Sequence, residues 1–199
     1  MITNQDRFNR AIELFDELNS KDPNREILGR KERPKELLYA ERVSTMLNNY
    51  ELNPSEALQL AARCQHIQRW KIGRENFPMT KLGYYQWRKN LRDFHAKTAK
   101  TILRKVGYEN DVINRVSSLV KKEGLQSDRE VQTLEDVVVM VFLENYLEAF
   151  IQDHSYFDET KIMDIVRKSL RKMTTKGRQA VLTTIKIPPS ILPVIKKLD

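Results

Sequence analysis

The sequence predicts an all-α fold, a bundle of about seven or eight helices. Nearly every segment of the 199-residue chain spaces its apolar residues at the period of an α-helix. No segment shows the sustained alternation of apolar and polar residues that is typical of a half-buried strand. The apolar fraction of 40% and the charged fraction of 31% are those of an ordinary folded protein.

Start and stop signals place the first three helices. Residues 4–19 carry an apolar face, and the DPN turn at 22–24 ends that helix. A charged loop is expected up to Arg33, after which Pro34 suits the first turn of a second helix. The NPSE segment at 53–56 has the composition of a helix start, so a third helix is expected to run through AARCQHIQ.

The second half of the chain is predicted to hold a long fourth helix and four or so shorter ones. Gly73 and Pro78 make residues 71–80 a loop, and the fourth helix follows from about Lys81 to Val106. Gly107 is placed to end it. The remaining predictions are a fifth helix closed by Gly124, a sixth from Glu130 to about Gln152, a seventh capped by Asp158, and a short eighth in TTKGRQAVLTTI.

The sixth of these helices is expected to be the central one. Its segment VVVMVFL is apolar on all sides, which is typical of a helix that is surrounded by others. We therefore expect a single helical domain over residues 1–185, followed by a proline-containing, extended tail over 186–199.

Composition also bounds the setting in which the protein works. The single cysteine, Cys64, cannot form an internal disulfide, which favours a reducing compartment. The first residues are charged and lack the apolar core of a secretory signal. No run of about 18 apolar residues is present, so no membrane span is expected. A cytoplasmic location is the prediction.

The candidate functional stretch is residues 61–105, which hold twelve Lys or Arg and only two acids. This local excess is larger than the net charge of +8 of the whole chain. Because too few carboxylates are nearby to pair with them, the arginines indicate a site for an anion, and the bidentate geometry of arginine favours phosphate. The residues expected to clamp phosphate are Arg69, Arg74 and Arg88, and those expected to stack on a ring are Trp70, Tyr84 and Trp87.

Two histidines accompany this charge. His66 and Trp70 share a helical face if the third helix extends that far, and Trp87 and His95 repeat the pattern on the fourth helix. His66, His95 and the Glu135-Asp136 pair would lie on three helices, which is how helical folds build transition-metal sites.

Other interpretations of the same residues stay open. A basic helix face is often simply solvated, and tryptophans at helical spacing are often core residues. The charge and the aromatic rings would also suit RNA, whose phosphates and bases they would contact. A non-catalytic RNA- or protein-binding module would add a further set of basic residues, Lys168, Arg171, Lys172 and Arg178.

Five blocks of the sequence resemble one family throughout. They are RPKELLYAERVSTML, AARCQHIQRW, FPMTKLGYYQWRKNLRDFHA, VQTLEDVVVMVFLENYLEAF and IVRKSLRKMTTKGRQAVL. The family is domain-of-unknown-function family four-two-zero-two, found in bacteria and fungi, and the likeness covers roughly residues 5–185. Gly73 departs from it, since the family usually shows proline before the arginine.

The chain also has a more distant likeness to the HD phosphohydrolases, helical enzymes that cleave phosphate esters with a metal. Tyr39 stands where that family has its first histidine, and Gln65 and His66 stand for its His-Asp pair. Asp136 matches the late aspartate, and His95 falls where some members place another metal histidine. The resemblance implies either a site rebuilt around His66, His95 and Asp136 or a helical binding module.

These observations together predict a cytoplasmic protein whose basic pocket binds a phosphorylated small molecule or a nucleotide. The candidate activity is metal-dependent phosphoester hydrolysis, in which His66 and His95 act on the ester and a divalent transition metal activates water. The predicted metal ligands are His66, His95 and Asp136, and Gln65 would line the ligand site. The non-catalytic RNA- or protein-binding module is the alternative.

Overall fold

The computed structural model of the chain describes residues 3–156 and 158–187. Nine α-helices and one short hairpin make up the described part, which confirms the all-α prediction. The elements are α1 Asn4–Asn19, β1 Arg25–Leu28, β2 Lys31–Pro34, α2 Lys35–Tyr50, α3 Glu56–Cys64, α4 Lys81–Lys105, α5 Asn110–Lys121, α6 Arg129–Asn145, α7 Leu147–Asp153, α8 Glu159–Leu170 and α9 Thr175–Thr184. Two short 3₁₀ turns, Arg69–Lys71 and Arg74–Asn76, lie between α3 and α4. Within this part of the chain, no helix is long and apolar enough to cross a membrane.

The described residues divide into two compact units. The first contains residues 3–45 and 53–123, and the second contains residues 46–52, 124–156 and 158–187. The sequence predicts one domain over residues 1–185 and gives no sign of this division. The tail predicted over residues 186–199 lies outside the described residues, apart from Lys186 and Ile187.

In the first unit, α1, α3, α4 and α5 pack around a shared core. The core contains side chains that are fully buried, among them Phe15, Leu60, Leu103 and Leu119. Side chains cap the starts of α1, α3 and α4. Ser55 accepts a hydrogen bond from the Leu58 amide at the start of α3.

The hairpin of β1 and β2 replaces the charged loop that the sequence predicts. Its strands pair antiparallel, with Glu26 opposite Arg33, and Gly29 takes a φ of +64° at the first turn position. Its strands are mostly polar and exposed, so no apolar alternation announces them. Ion pairs to α2 hold the hairpin instead, since Arg33 lies 2.7 Å from Glu41 and Glu26 pairs with Arg42.

In the second unit, α6 is buried around most of its circumference, although Val138 and Phe142, one turn apart within VVVMVFL, are only partly buried. Val139, Met140 and Val141 are consecutive and buried, so they point in different directions around the helix axis. The sequence predicts one helix to about Gln152, whereas α6 ends at Asn145. Tyr146 leaves the helical dihedrals, with φ −127° and ψ −15°, and α7 begins after it.

The buried carboxylate of Asp136 on α6 organises the start of α9. It accepts hydrogen bonds from the Thr174 amide at 2.9 Å and the Thr174 hydroxyl at 2.5 Å. Two further donors are the Tyr50 hydroxyl at 2.8 Å and the Gln132 amide at 3.2 Å. Gly177 lies so close that a Cβ there would be 2.6 Å from the carboxylate carbon of Asp136.

We predict that Gly177→Ala destabilises the protein by about 1–3 kcal/mol, because the added methyl overlaps the Asp136 carboxylate. Without that overlap, alanine would stabilise a helix interior by about 1 kcal/mol relative to glycine. In urea unfolding, Gly177→Ala should therefore lower the free energy of unfolding of the parent protein. In an Asp136→Ala background the same substitution should lower it much less, or raise it. Equal costs in both backgrounds would contradict this contact as the cause.

Candidate functional site

The segment that follows α3 folds back on itself instead of extending the helix. The sequence predicts that the third helix continues through Gln68, but α3 ends at Cys64. Gln68 takes a left-handed backbone conformation, with φ 52° and ψ 34°, and its amide donates to the Asn19 side-chain oxygen at 2.9 Å. This tertiary hydrogen bond favours a turn over another helical residue. The predicted helical stripe of His66 and Trp70 is therefore wrong, and Trp70 lies half-buried in the first 3₁₀ turn.

The turn places His66 against two residues of α2. The imidazole stacks on the Tyr39 ring, with centroids 4.1 Å apart and planes within 10°. Its Nδ1 atom lies 3.5 Å from Glu36 Oε2. Glu36 and Tyr39 are three residues apart on α2, so they share one helix face. The buried Asp22 fixes the start of that helix by accepting a hydrogen bond from the Glu36 amide at 2.9 Å.

His95 on α4 faces the same turn and is held by it. Its Nδ1 atom lies 2.7 Å from the Ile67 carbonyl oxygen. A carbonyl can only accept a hydrogen bond, so Nδ1 carries the proton and Nε2 of the neutral ring bears a lone pair. The His66 and His95 rings have their centroids 5.9 Å apart, so the fold brings the two histidines together.

The charges of two guanidinium groups, Arg69 and Arg88, act on these histidines. The Arg69 Cζ atom lies 4.9 Å from the centroid of the Trp87 ring, and the Trp87 indole donates to the Ile72 carbonyl at 2.9 Å. Arg69 Nε is 3.8 Å from Glu36 Oε1. Arg88 is half-buried and makes no hydrogen bond or ion pair with the residues that the structure describes. We call Glu36, His66, Arg69, Arg88 and His95 the histidine–arginine cluster.

Burial sets the protonation states in the cluster. It raises the pKa of Glu36 to about 7, against the opposing attraction of Arg69. Burial, followed by the charge of Arg69, lowers the pKa of His66 well below 6.5. Burial also lowers the pKa of His95 to about 3, although its hydrogen bond to Ile67 acts in the opposite direction. At neutral pH both imidazoles are neutral, the glutamate is partly protonated, and the arginines dominate the local charge.

Arginine side chains in this segment have two kinds of surroundings. Burial and then the charge of Arg88 lower the pKa of Arg69, because the two guanidiniums repel each other. Arg74, by contrast, donates to the carbonyls of Phe77 at 2.9 Å and Pro78 at 2.8 Å, with a longer contact to that of Thr80. These hydrogen bonds close the loop before α4, so the Arg74 side chain holds the backbone.

The remaining predicted ligand residues lie at the edge of the cluster. The Tyr84 ring is 44% exposed and its centroid lies 5.9 Å from that of Trp87. Gln65 is the residue before His66 and is almost completely buried. Its Oε1 atom has no hydrogen-bond partner among the described residues.

The predicted metal ligands do not fit a metal ion. In residues 3–156 and 158–187, no group of three or more His, Cys, Asp or Glu side chains could hold one. Asp136 belongs to the second unit, where four hydrogen bonds already engage its carboxylate. The sequence could not show this, because the donors from Tyr50 and Thr174 are distant along the chain.

Glu36 is the residue of the cluster that the sequence does not reveal. An acid in the first turn of a helix is normally explained by the helix dipole and left in solvent. The available signal was its position three residues before Tyr39, inside a block that carries the family resemblance. A buried glutamate on the face of a site tyrosine then becomes a candidate functional residue.

The geometry defines a helical protein in which two neighbouring histidines experience the charges of two arginines. The model of the family described as Domain of unknown function (DUF4202) matches residues 9–195, and the chain belongs to this family. No curated protein and no solved structure matches the chain.

We predict that the change in the free energy of unfolding caused by Glu36→Gln is more favourable at pH 8 than at pH 4.5, by about 3 kcal/mol. The folded pKa of about 7 is above the ordinary value of 4.5, so the folded state binds the extra proton between these pH values. This carboxyl therefore contributes most below pH 4.5, and its contribution is lost as the pH rises through 7.

Urea unfolding of the parent and of Glu36→Gln across this pH range measures the difference. His66 and His95 titrate in both proteins, so their opposite contribution largely cancels. Glu13→Gln, at a side chain that is 62% exposed, controls for the change in net charge. A difference between parent and variant that does not change with pH would show that Glu36 is not held in its protonated form.

Proposed function

We propose that this chain binds a small phosphorylated molecule, a metabolite or a nucleotide, at the histidine–arginine cluster. The observation that carries the proposal is the uncompensated charge of Arg69 and Arg88. Within the part of the chain that the structure describes, Arg88 has no ion-pair partner, and the one acid paired with Arg69 is Glu36 at 3.8 Å. Because the pKa of Glu36 is raised to about 7, its carboxyl neutralises only part of that charge at neutral pH.

A phosphate group would supply what these side chains lack. Its oxygens accept hydrogen bonds from a guanidinium in a bidentate arrangement, and its negative charge relieves the repulsion between Arg69 and Arg88. The neutral His66 adds no charge to the site, so the arginines are the source of the attraction for phosphate. The half-exposed Tyr84 ring next to Trp87 offers an aromatic surface for the organic part of the ligand.

The alternative is an RNA- or protein-binding module that also uses basic residues of the second unit. Several of these already have partners there. Lys168 Nζ lies 2.6 Å from the Asp164 carboxylate, and Lys172 Nζ lies 3.8 Å from that of Glu135. Arg178 donates to the Met173 carbonyl at 3.0 Å. These pairings make the second unit a weaker source of free positive charge than Arg88.

We predict that inorganic phosphate raises the melting temperature above that in sodium chloride of matched ionic strength. Binding to the folded state alone adds about 2.7 kcal/mol at a hundredfold excess over Kd. Arg88→Gln should abolish the effect, because it removes the unpaired guanidinium. Lys89→Gln, which removes an exposed charge from the adjacent residue, is the control and should keep the effect.

Equal melting temperatures in phosphate and chloride would show only ionic screening and would contradict the proposal. Retention of the phosphate effect in Arg88→Gln would show that phosphate binds outside the histidine–arginine cluster. Binding of a single-stranded RNA without any response to phosphate would favour the alternative module.

Phosphoester hydrolysis is a second candidate function, and the contact between Glu36 and His66 favours it. The neutral His66 would accept a proton from water as the water oxygen bonds to phosphorus. The phosphorus–oxygen bond to the alcohol then breaks, and the protonated Glu36 gives its proton to the leaving oxygen. The two residues have the protonation states that this acid–base pair requires, since the pKa of His66 is lowered and that of Glu36 is raised.

We predict release of inorganic phosphate from phenyl phosphate, whose leaving oxygen is basic enough to need the Glu36 proton, with loss of at least about a hundredfold in rate for His66→Gln. In the parent protein, the hydrolysis rate should fall at high pH as Glu36 loses its proton. This fall should be absent in Glu36→Gln. Phosphate binding without any turnover in the parent protein would leave the binding function and exclude this reaction for this substrate.

A further inference from the structure

Buried polar atoms without partners surround His66. Glu36 Oε2 and His95 Nε2 are both buried, and neither has a hydrogen-bond partner among the described residues. Both belong to residues that contact His66, through the 3.5 Å separation from Glu36 and the ring contact with His95. Gln65 Oε1, on the residue before His66, is a third such atom. Native proteins rarely leave buried polar atoms unpaired, so three of them on connected residues indicate the place of a ligand.

The chemical character of these atoms restricts the ligand. His95 Nδ1 donates its proton to the Ile67 carbonyl at 2.7 Å, so Nε2 can only accept a hydrogen bond. Gln65 Oε1 is also an acceptor, and the Glu36 carboxylate accepts when it is ionised. The site therefore needs hydrogen-bond donors from the ligand. A metal cation is disfavoured as the partner, because Arg69 and Arg88 make the surroundings positive.

A ligand that pairs with both the arginines and the buried acceptor atoms must carry an anionic group and hydrogen-bond donors. A phosphate group alone pairs with the guanidiniums but offers the buried acceptors few donors, since its oxygens mainly accept. Hydroxyl groups on the carbon chain of a phosphate ester can donate hydrogen bonds to these acceptors while the phosphate of the same small molecule contacts the arginines. An alkyl phosphate meets the charge of Arg69 and Arg88 and leaves His95 Nε2 unpaired.

We infer that the ligand is a polyhydroxylated phosphate ester, a sugar phosphate, whose hydroxyl groups donate to His95 Nε2 and Glu36 while its phosphate pairs with Arg88 and Arg69. This inference rests on the proposed function, because it names the class of phosphorylated molecule that the cluster selects. His95 then determines specificity for the hydroxyls, and Arg88 determines affinity for the phosphate.

Calorimetric titration with three ligands tests the inference on the parent protein. Ribose 5-phosphate, n-pentyl phosphate and inorganic phosphate share the anion and differ in their hydroxyl donors. We expect ribose 5-phosphate to bind at least about tenfold more tightly than pentyl phosphate, because the pentyl chain leaves buried acceptors unpaired. This comparison does not depend on the folding of any variant.

His95→Asn is the variant that isolates the acceptor. Its side-chain amide can replace Nδ1–H as the donor to the Ile67 carbonyl, but it has no atom at the position of Nε2. The variant should lose about tenfold in affinity for ribose 5-phosphate and keep its affinity for inorganic phosphate. Arg88→Gln should weaken binding of all three ligands, and Lys89→Gln should change none.

The outcomes separate this inference from the proposed function. Equal binding of the three phosphates would overturn the sugar-phosphate inference and leave phosphate binding intact. Tighter binding of ribose 5-phosphate that His95→Asn does not alter would overturn the role of His95. Failure of all three ligands to bind would overturn both the inference and the proposed function.

Discussion

The hydrogen bond between His95 and the Ile67 carbonyl is the contact on which the site depends. At 2.7 Å it joins α4 to the turn that follows α3, through two residues that are 28 positions apart in sequence. It fixes the His95 tautomer and leaves Nε2 as an acceptor. It also fixes the residue next to His66, so the stack of His66 on Tyr39 and its contact with Glu36 follow from the same anchor.

The arginine charges in the first unit are not neutralised by the titratable groups around them. Burial keeps His66 and His95 neutral and holds Glu36 partly protonated, so three titratable groups carry little charge at neutral pH. The arginines cannot respond in this way, because guanidinium stays protonated in proteins. Their repulsion remains in the folded state, and an anion is the partner that removes it.

The helices could be predicted from the sequence because their signals are local. Apolar spacing and capping residues within a few positions fixed α1 and α4 to within about a residue of the structure. Contacts between distant residues decided what the sequence missed. The hydrogen bond from the Gln68 amide to Asn19 stabilises a turn where the sequence predicts that α3 continues. Ion pairs to α2 hold a hairpin whose strands lack apolar alternation. The proximity of His66 and His95 was expected from their places on successive predicted helices, although His66 lies in a turn, and the burial of Glu36 required the tertiary structure.

Two buried acids, Asp136 and Glu36, differ in how the surrounding residues satisfy their carboxylates. Asp136 receives four hydrogen bonds from its own unit and fixes the start of α9, so its burial is explained without a ligand. Glu36 Oε2 receives none from the described residues and faces a neutral histidine. Both residues lie in blocks that resemble the family, so sequence position alone could not separate their roles. The count of donors does separate them, since four donors reach the Asp136 carboxylate and none among the described residues reaches Glu36 Oε2.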